Sequence, residues 1–272
     1  MIKLIATDLD GTLLFPKKVI SLVSKKNKKV LREFVQKGGH VVIASGRSLK
    51  MCQKIARNLK INCDFTPYSG GMAIVNNKVV DAGIISNDLI NKIDDFIEKE
   101  HGRLYRLVTT PKDKILAYGP RLTLIERVLV TLYQLINLRY NEARRFIKID
   151  QAKNYFKDGV CKMTLIYTKK DEETINVINK ISEKFSAEVE TFVTSRACEI
   201  TLKGYNKGTM VKRIASSLNY EDNEVAVIGD DINDVTMFKM FENSFVMSHA
   251  SDEVKKYAKN IIVNFKDIKQ ML

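Results

Sequence analysis

The stretch MIKLIATDLDGT, Met1 to Thr12, decides how the rest of the chain is read. A short apolar run with β-branched residues ends in two aspartates one residue apart, then a glycine and a threonine. On an extended strand the side chains at i and i+2 share a face. The spacing predicts a strand over residues 2–7, with Asp8 and Asp10 together at its carboxyl end and Leu9 turned into packing. Two carboxylates so close repel each other unless a proton or a cation holds them. A hard divalent ion bound through oxygen is the simplest resolution, and Mg2+ fits best. Gly11 lets the backbone turn sharply, so that its amide and that of Thr12 face an anion.

Outward from this stretch, strand and helix signals alternate. An amphipathic helix over residues 21–37 stops at Gly38-Gly39, and HVVIAS at 40–45 reads as a strand covered on both faces. A helix over 49–59 follows, then a turn-rich segment at 66–71. The end of the chain repeats the style, with a helix over 206–218, the buried strand VAVI at 225–228 and a helix over 233–241. A short strand near 245–247 and a helix near 251–258 complete it. This alternation predicts an α/β fold built on a doubly wound parallel sheet.

The middle differs. It gives helices over 87–100, 121–138 and 171–185, and strands near 103–109, 113–118, 144–149, 160–168 and 188–193. Paired strands beside helices read as an α+β module inserted between two halves of one domain. The expected division is residues 1–81 and 195–272 for the core and 82–194 for the insertion.

Composition bounds the function classes. With 272 residues, 45% hydrophobic and 28% charged, the chain reads as globular and soluble. The opening apolar run is too short for a secretory signal, and residues 122–138 carry Glu126 and Arg127, so no membrane span is expected. Cys52, Cys63, Cys161 and Cys198 are scattered, which points to plain thiols in a reducing cytoplasm. The formal charge of +13 suits phosphorylated metabolites, yet no basic stripe interleaved with aromatics marks a nucleic-acid surface. No nucleic-acid or membrane partner is expected, and the expected state is a monomer or weak homodimer.

Four polar groups fall at strand carboxyl ends or at the start of a following helix, where open parallel sheets bind ligands. They are Asp8 with Asp10, Ser45-Gly46-Arg47, Lys207, and the run Gly229 to Asp234. Each type suits phosphoryl transfer. Asp8 can attack phosphorus, and Asp10 can protonate the leaving oxygen and later activate water. Asp230 can offer oxygen to Mg2+, Ser45 can hold a phosphoryl oxygen, and Lys207 can place positive charge on the equatorial oxygens. Singly, each has an ordinary reading. A lone D-x-D can be a surface pair, Ser45 or Asp234 a helix cap, Lys207 a solvated lysine, and Arg47 either a clamp or an exposed side chain. Together and in order they form one constellation.

The motifs DLDGTLL at 8–14, ASGR at 44–47, NKG at 206–208 and GDDIND at 229–234 resemble the four motifs of the haloacid dehalogenase superfamily. The inserted module resembles the large cap of its Cof-type subgroup, the type IIB cap, which includes sugar-phosphate phosphatases. The resemblance implies a Mg2+-dependent phosphatase with Asp8 as nucleophile and Asp10 as acid/base. Gly11, Thr12, Ser45, Gly46, Lys207 and Asn233 would face phosphate. The implied metal set is Asp8, the Asp10 backbone carbonyl and Asp230, with Asp234 supporting the metal shell. The chain departs from the pattern at SGGMA, 69–73, where Asn-Gly-Ala is common, and at MSHA, 247–250, where Met-Gly-Asn-Ala is common. His249 then either replaces an amide contact to substrate or is a surface loop residue.

The expected substrate is a small phosphorylated metabolite, such as a sugar phosphate, chosen by the cap. Arg139, Arg144 and Arg145 are cap cations that can reach a leaving group. A phosphomutase or phosphotransferase on the same core, and a non-catalytic sugar-phosphate binder, are the competing readings.

Overall fold

A computed structural model of the chain describes residues 1–16, 23–100, 104–119, 144–148, 151–152, 155–167, 171–194 and 197–271. The chain divides into two compact units, Met1–Gly83 with Lys203–Leu272, and Ile84–Leu202.

The first unit is built on an eight-stranded sheet. Strand β1 (Leu4–Thr7) is central, between β2 (His40–Ala44) and β12 (Val225–Gly229), and pairs with both in parallel. Beyond β2 lie β3 (Asp64–Thr66) and the hairpin of β4 (Met72–Val75) and β5 (Lys78–Ala82). Beyond β12 lie β13 (Asn243–Met247) and β14 (Asn260–Ile262). Chain progression runs one way from β1 through β3 and the other way from β12 through β14. The winding therefore reverses between β1 and β12, the crevice where sheets of this kind bind ligands. β1 is buried along its whole length, because its residues pack on both faces. Leu4, Ala6, Val42, Ala44, Val225 and Val227 join Met210 and Ile214 in one cluster.

The helices of this unit follow local signals. Helix α1 (Lys25–Gln36) is capped by the Ser24 side chain, which accepts from the Asn27 amide. It buries Val30, Leu31 and Phe34 and ends at Gly38, φ +89°. Helix α2 (Leu49–Leu59) matches the predicted range. The hairpin β4–β5 was not foreseen. Its turn is Asn76-Asn77 with φ of +50° and +61°, which asparagine tolerates without glycine's usual signal.

The second unit is a six-stranded sheet ordered β10-β11-β9-β6-β7-β8. These are β6 (Tyr105–Thr109), β7 (Ile115–Tyr118), β8 (Arg144–Phe146), β9 (Lys162–Ile166), β10 (Val189–Val193) and β11 (Ala197–Leu202). Helices α3 (Asn87–Glu100) and α4 (Glu172–Lys184) supply Ile90, Ile93, Ile97, Ile178 and Ile181 to its core. The insertion expected over 82–194 differs from the second unit at its end. Strand β11 pairs with both β10 and β9, so the second unit runs on to Leu202. The helix expected over 121–138 lies outside the described residues.

Arg106 on β6 is fully buried in this core. Its Nε lies 3.3 Å from Asp94 Oδ1 and its Nη2 2.5 Å from Glu98. The Tyr118 hydroxyl donates to Asp94 at 2.8 Å, and burial pushes the Asp94 carboxyl up to about 6 against the pull of Arg106. Removing one partner of a buried pair strands the other charge. Arg106→Met should therefore lower the unfolding free energy by roughly 3–5 kcal/mol in denaturant titration of the full chain. A change within about 0.5 kcal/mol, as for a surface substitution, contradicts this account of the core.

Candidate active site

β1 stops at Thr7, earlier than an extended Asp8–Asp10 pair requires. Asp8 is still extended (φ −68°, ψ 164°), but Leu9–Leu13 forms a turn in which Asp10 (φ −82°, ψ 119°) and Gly11 (φ +82°) leave the helical region. The two side chains consequently take different partners. Asp8 is buried, with its Oδ1 accepting from Lys207 Nζ at 2.7 Å. The Asp10 side chain is 46% exposed, and both its oxygens accept from Arg47, Nε and Nη2 each at 2.6 Å. Leu9 turns into the core as expected.

Lys207 is the hub. It is the first residue of helix α5 (Lys207–Ser217), whose N-cap Asn206 and Thr209 satisfy each other's backbone amides. At 1% exposure it is not a solvated lysine. Its Nζ donates to Asp8 Oδ1 at 2.7 Å, Asp234 Oδ1 at 2.7 Å and Asn233 Oδ1 at 3.1 Å. Burial works to lower its pKa, but Asp234 and Asp8 outweigh that and raise it, so the ammonium persists.

The loop after β12 supplies the opposing wall. Asp234 Oδ2 accepts from the amides of Asp230 at 2.9 Å and Asp231 at 3.1 Å, while its Oδ1 takes Lys207. Both Asp234 oxygens are thus engaged in fixing the loop. Asp231 caps the short turn Ile232–Asp234 through the Ile232 amide, and helix α6 (Val235–Met240) follows. The Thr12 hydroxyl donates to Asp230 Oδ1 at 2.6 Å. A Cβ at Gly11 would collide with the Asp230 carboxylate, so only glycine lets these two loops touch. Thr12 was expected to face phosphate, and here its hydroxyl serves Asp230.

Ser45 leaves β2 at the same end of the sheet, buried, with its Oγ accepting from the Arg47 amide at 3.3 Å. The N-cap of α2 is Ser48, which removes that reading of Ser45. Gly46 lies between Ser45 and Arg47 in the loop that carries the guanidinium to Asp10. His249, in the loop after β13, stacks on Phe15 with ring centroids 4.2 Å apart, and its Nε2 lies 3.6 Å from Asp230 Oδ2. That places it beside the acidic cluster. Burial lowers its pKa, opposed by a backbone interaction with Gly11. Of the three arginines expected to reach a leaving group, Arg145 lies over the Tyr155 ring at 5.2 Å, while Arg139 and the side chain of Arg144 fall outside the described residues.

Asp8, Asp230 and Asp234 offer carboxylate oxygens within 4.8 Å of one another. Burial pushes Asp8 well above the ordinary carboxylate range, with Lys207 pulling against it. Burial and the charge of Asp234 push Asp230 up to about 7. Three crowded carboxylates against one ammonium leave uncompensated negative charge on hard oxygen donors. That set fits a divalent cation of the Mg2+ kind. The Asp10 side chain is not part of it.

The segment 66–71, which the sequence marks as a turn, has a role that its local pattern does not show. Tyr68, Ser69 and Gly70 all have positive φ, and a Cβ on Gly70 would collide with the Asn206 carbonyl and the Lys207 amide. This turn is the surface on which the start of α5 is seated. Nothing in the local sequence names its distant partner.

The family model for haloacid dehalogenase-like hydrolases matches residues 5–268. Curated relatives include the 5-amino-6-(5-phospho-D-ribitylamino)uracil phosphatase YcsE of Bacillus subtilis, 24% identical over 94% of this chain and 88% of that protein. The phosphatase YwpJ of the same species is 25% identical over 94% of this chain and 93% of its own length. Among solved structures, a haloacid dehalogenase-like hydrolase from B. subtilis superposes with a TM-score of 0.81 at 21% identity, over all of both chains. The subclass IIB sugar phosphatase BT4131 gives 0.77 at 21% identity, over 99% of this chain and 97% of that one.

Gly70→Ala tests the seating of Lys207. Displacing a catalytic group by about 1 Å can cost on the order of 100-fold. We expect a loss of that order in kcat/KM for phosphate release, together with a lower Tm. Activity and Tm both equal to wild type would show that the turn does not position α5.

Proposed function

Because the chain belongs to the haloacid dehalogenase-like hydrolases, we propose that it is a Mg2+-dependent phosphatase acting through an aspartyl phosphate on Asp8. The substrate in this reading is a small phosphorylated metabolite, of the class that includes sugar phosphates. The observation that carries the proposal is the buried Asp8 carboxylate bound to Lys207 at the carboxyl end of the central strand. A protein that merely bound phosphate would gain nothing from an anion at that point, whereas a nucleophile must be there. The names of the relatives support the substrate class, since YcsE and BT4131 are both phosphatases of phosphorylated small molecules.

In the first half of the reaction an Asp8 oxygen bonds to phosphorus as the ester P–O bond breaks. The leaving oxygen keeps the electron pair and takes a proton from Asp10. In the second half a water oxygen bonds to phosphorus while its proton passes to Asp10. The bond from phosphorus to Asp8 then breaks, releasing inorganic phosphate and restoring both carboxyl groups. Lys207 opposes the burial that would otherwise keep Asp8 protonated, and its charge lies where phosphoryl oxygens gather. In this reading Ser45, buried at the end of β2, and Asn233, which accepts from Lys207, hold phosphoryl oxygens. Asp8 and Asp230 would hold the metal, with the Asp10 backbone carbonyl, and Asp234 keeps the Asp230 loop and Lys207 in register. When bound, Mg2+ supplies charge neutralisation between phosphate and carboxylates.

The second unit, Ile84–Leu202, is in this reading the cap that selects the leaving group. The free cysteines, three of them buried, suit a reducing compartment such as the cytoplasm.

A phosphate-release screen over phosphorylated metabolites, with and without Mg2+, tests the proposal. Release from at least one sugar or polyol phosphate, dependent on Mg2+ and abolished in Asp8→Asn, is the expected result. No release from any ester in the presence of Mg2+, or undiminished release by Asp8→Asn, would overturn it.

A further inference from the structure

Arg47 makes a two-pronged ion pair with Asp10. Its backbone is pinned on both sides, the amide donating to Ser45 Oγ at 3.3 Å and the carbonyl accepting from Tyr68 N at 3.0 Å. From that fixed base the guanidinium presents two parallel donors to the two oxygens of Asp10, each at 2.6 Å. The Asp10 backbone is equally constrained, between the buried Leu9 and Gly11 at φ +82°. An exposed pair of this kind adds little stability, about 0–1 kcal/mol. What a two-pronged guanidinium adds is orientation, which a lysine cannot copy.

We infer that Arg47 is the positioning residue for Asp10, holding its carboxyl in the orientation from which it protonates the leaving oxygen and later activates water. This rests on the phosphatase reading above. Each Asp10 oxygen accepts one bond from Arg47 and keeps a further lone pair, and the side chain is 46% exposed, so the oriented carboxyl can still meet a leaving oxygen or a water. The turn at Tyr68 that anchors Arg47 is the turn that seats Lys207, so the acid/base and the lysine are placed from one support.

The test compares two esters that differ in their need for a proton. An alkyl phosphate has a poor leaving group that must be protonated as the P–O bond breaks, whereas p-nitrophenyl phosphate departs as a stable anion. For a residue that acts through Asp10, Arg47→Ala should lower the alkyl-to-aryl ratio of kcat/KM by roughly 10–100-fold, within the range of general acid catalysis. Arg47→Lys should lower the ratio similarly, because one point charge does not orient the carboxyl. In the Asp10→Asn background, Arg47→Ala should leave the ratio where Asp10→Asn alone puts it, the non-additivity of two groups acting as one. A wild type that hydrolyses both esters, with a ratio unchanged in Arg47→Ala, overturns the inference and leaves the phosphatase reading standing. Equal losses on both esters with weaker competitive inhibition by inorganic phosphate overturn it too, since Arg47 would then bind phosphate and nothing more. Failure of the wild type to release phosphate from either ester would overturn the phosphatase reading itself, and this inference with it.

Discussion

One buried ammonium organises the candidate site. Lys207 brings together the end of β1, the start of α5 and the loop after β12 by donating to Asp8, Asp234 and Asn233. Without it, three carboxylates would face each other out of water with no positive charge among them. The same contacts leave the cluster net negative, which is the condition under which a divalent cation is held. Folding the core and building the site are therefore one event, because the strands that bury Asp8 are those that bring Asp230 and Asp234 to it.

The glycines of the site express the same constraint in backbone terms. Gly11 lets the loop after β1 lie against the Asp230 carboxylate, and Gly70 lets a distant turn lie against the first residue of α5. Neither contact leaves room for a methyl group. The acidic loop and the lysine helix are thus placed by close backbone approach as much as by charge. Asp234, with one oxygen on Lys207 and the other on two amides, ties the two kinds of constraint together.

Much of this was legible in the sequence, for identifiable reasons. The apolar runs at β1, β2 and β12 are continuous because those strands are covered on both faces, so their type and the location of polar groups at their ends could be read directly. Helices 49–59 and 87–100 matched because apolar spacing marks their buried faces. What could not be read depends on contacts across the chain. The different partners of Asp8 and Asp10 follow from a turn that begins at Leu9, two residues after the strand ends. The use of Thr12 on Asp230, the pairing of Asp10 with Arg47 and the seating of α5 on Gly70 each join segments far apart in sequence. β11 was missed because its neighbours in the sheet, rather than its own pattern, make it a strand of the second unit.

The central claim is that Asp8 becomes covalently phosphorylated during turnover. Acid quenching of the Asp10→Asn variant during reaction with a hydrolysed ester, followed by peptide mass mapping, tests it most directly, because loss of the residue proposed to activate water should let the acyl phosphate accumulate. The account predicts one phosphoryl group on the peptide containing Asp8 and none in the Asp8→Asn protein. A phosphoryl group on another residue, or none at all while the variant still releases phosphate, would contradict it.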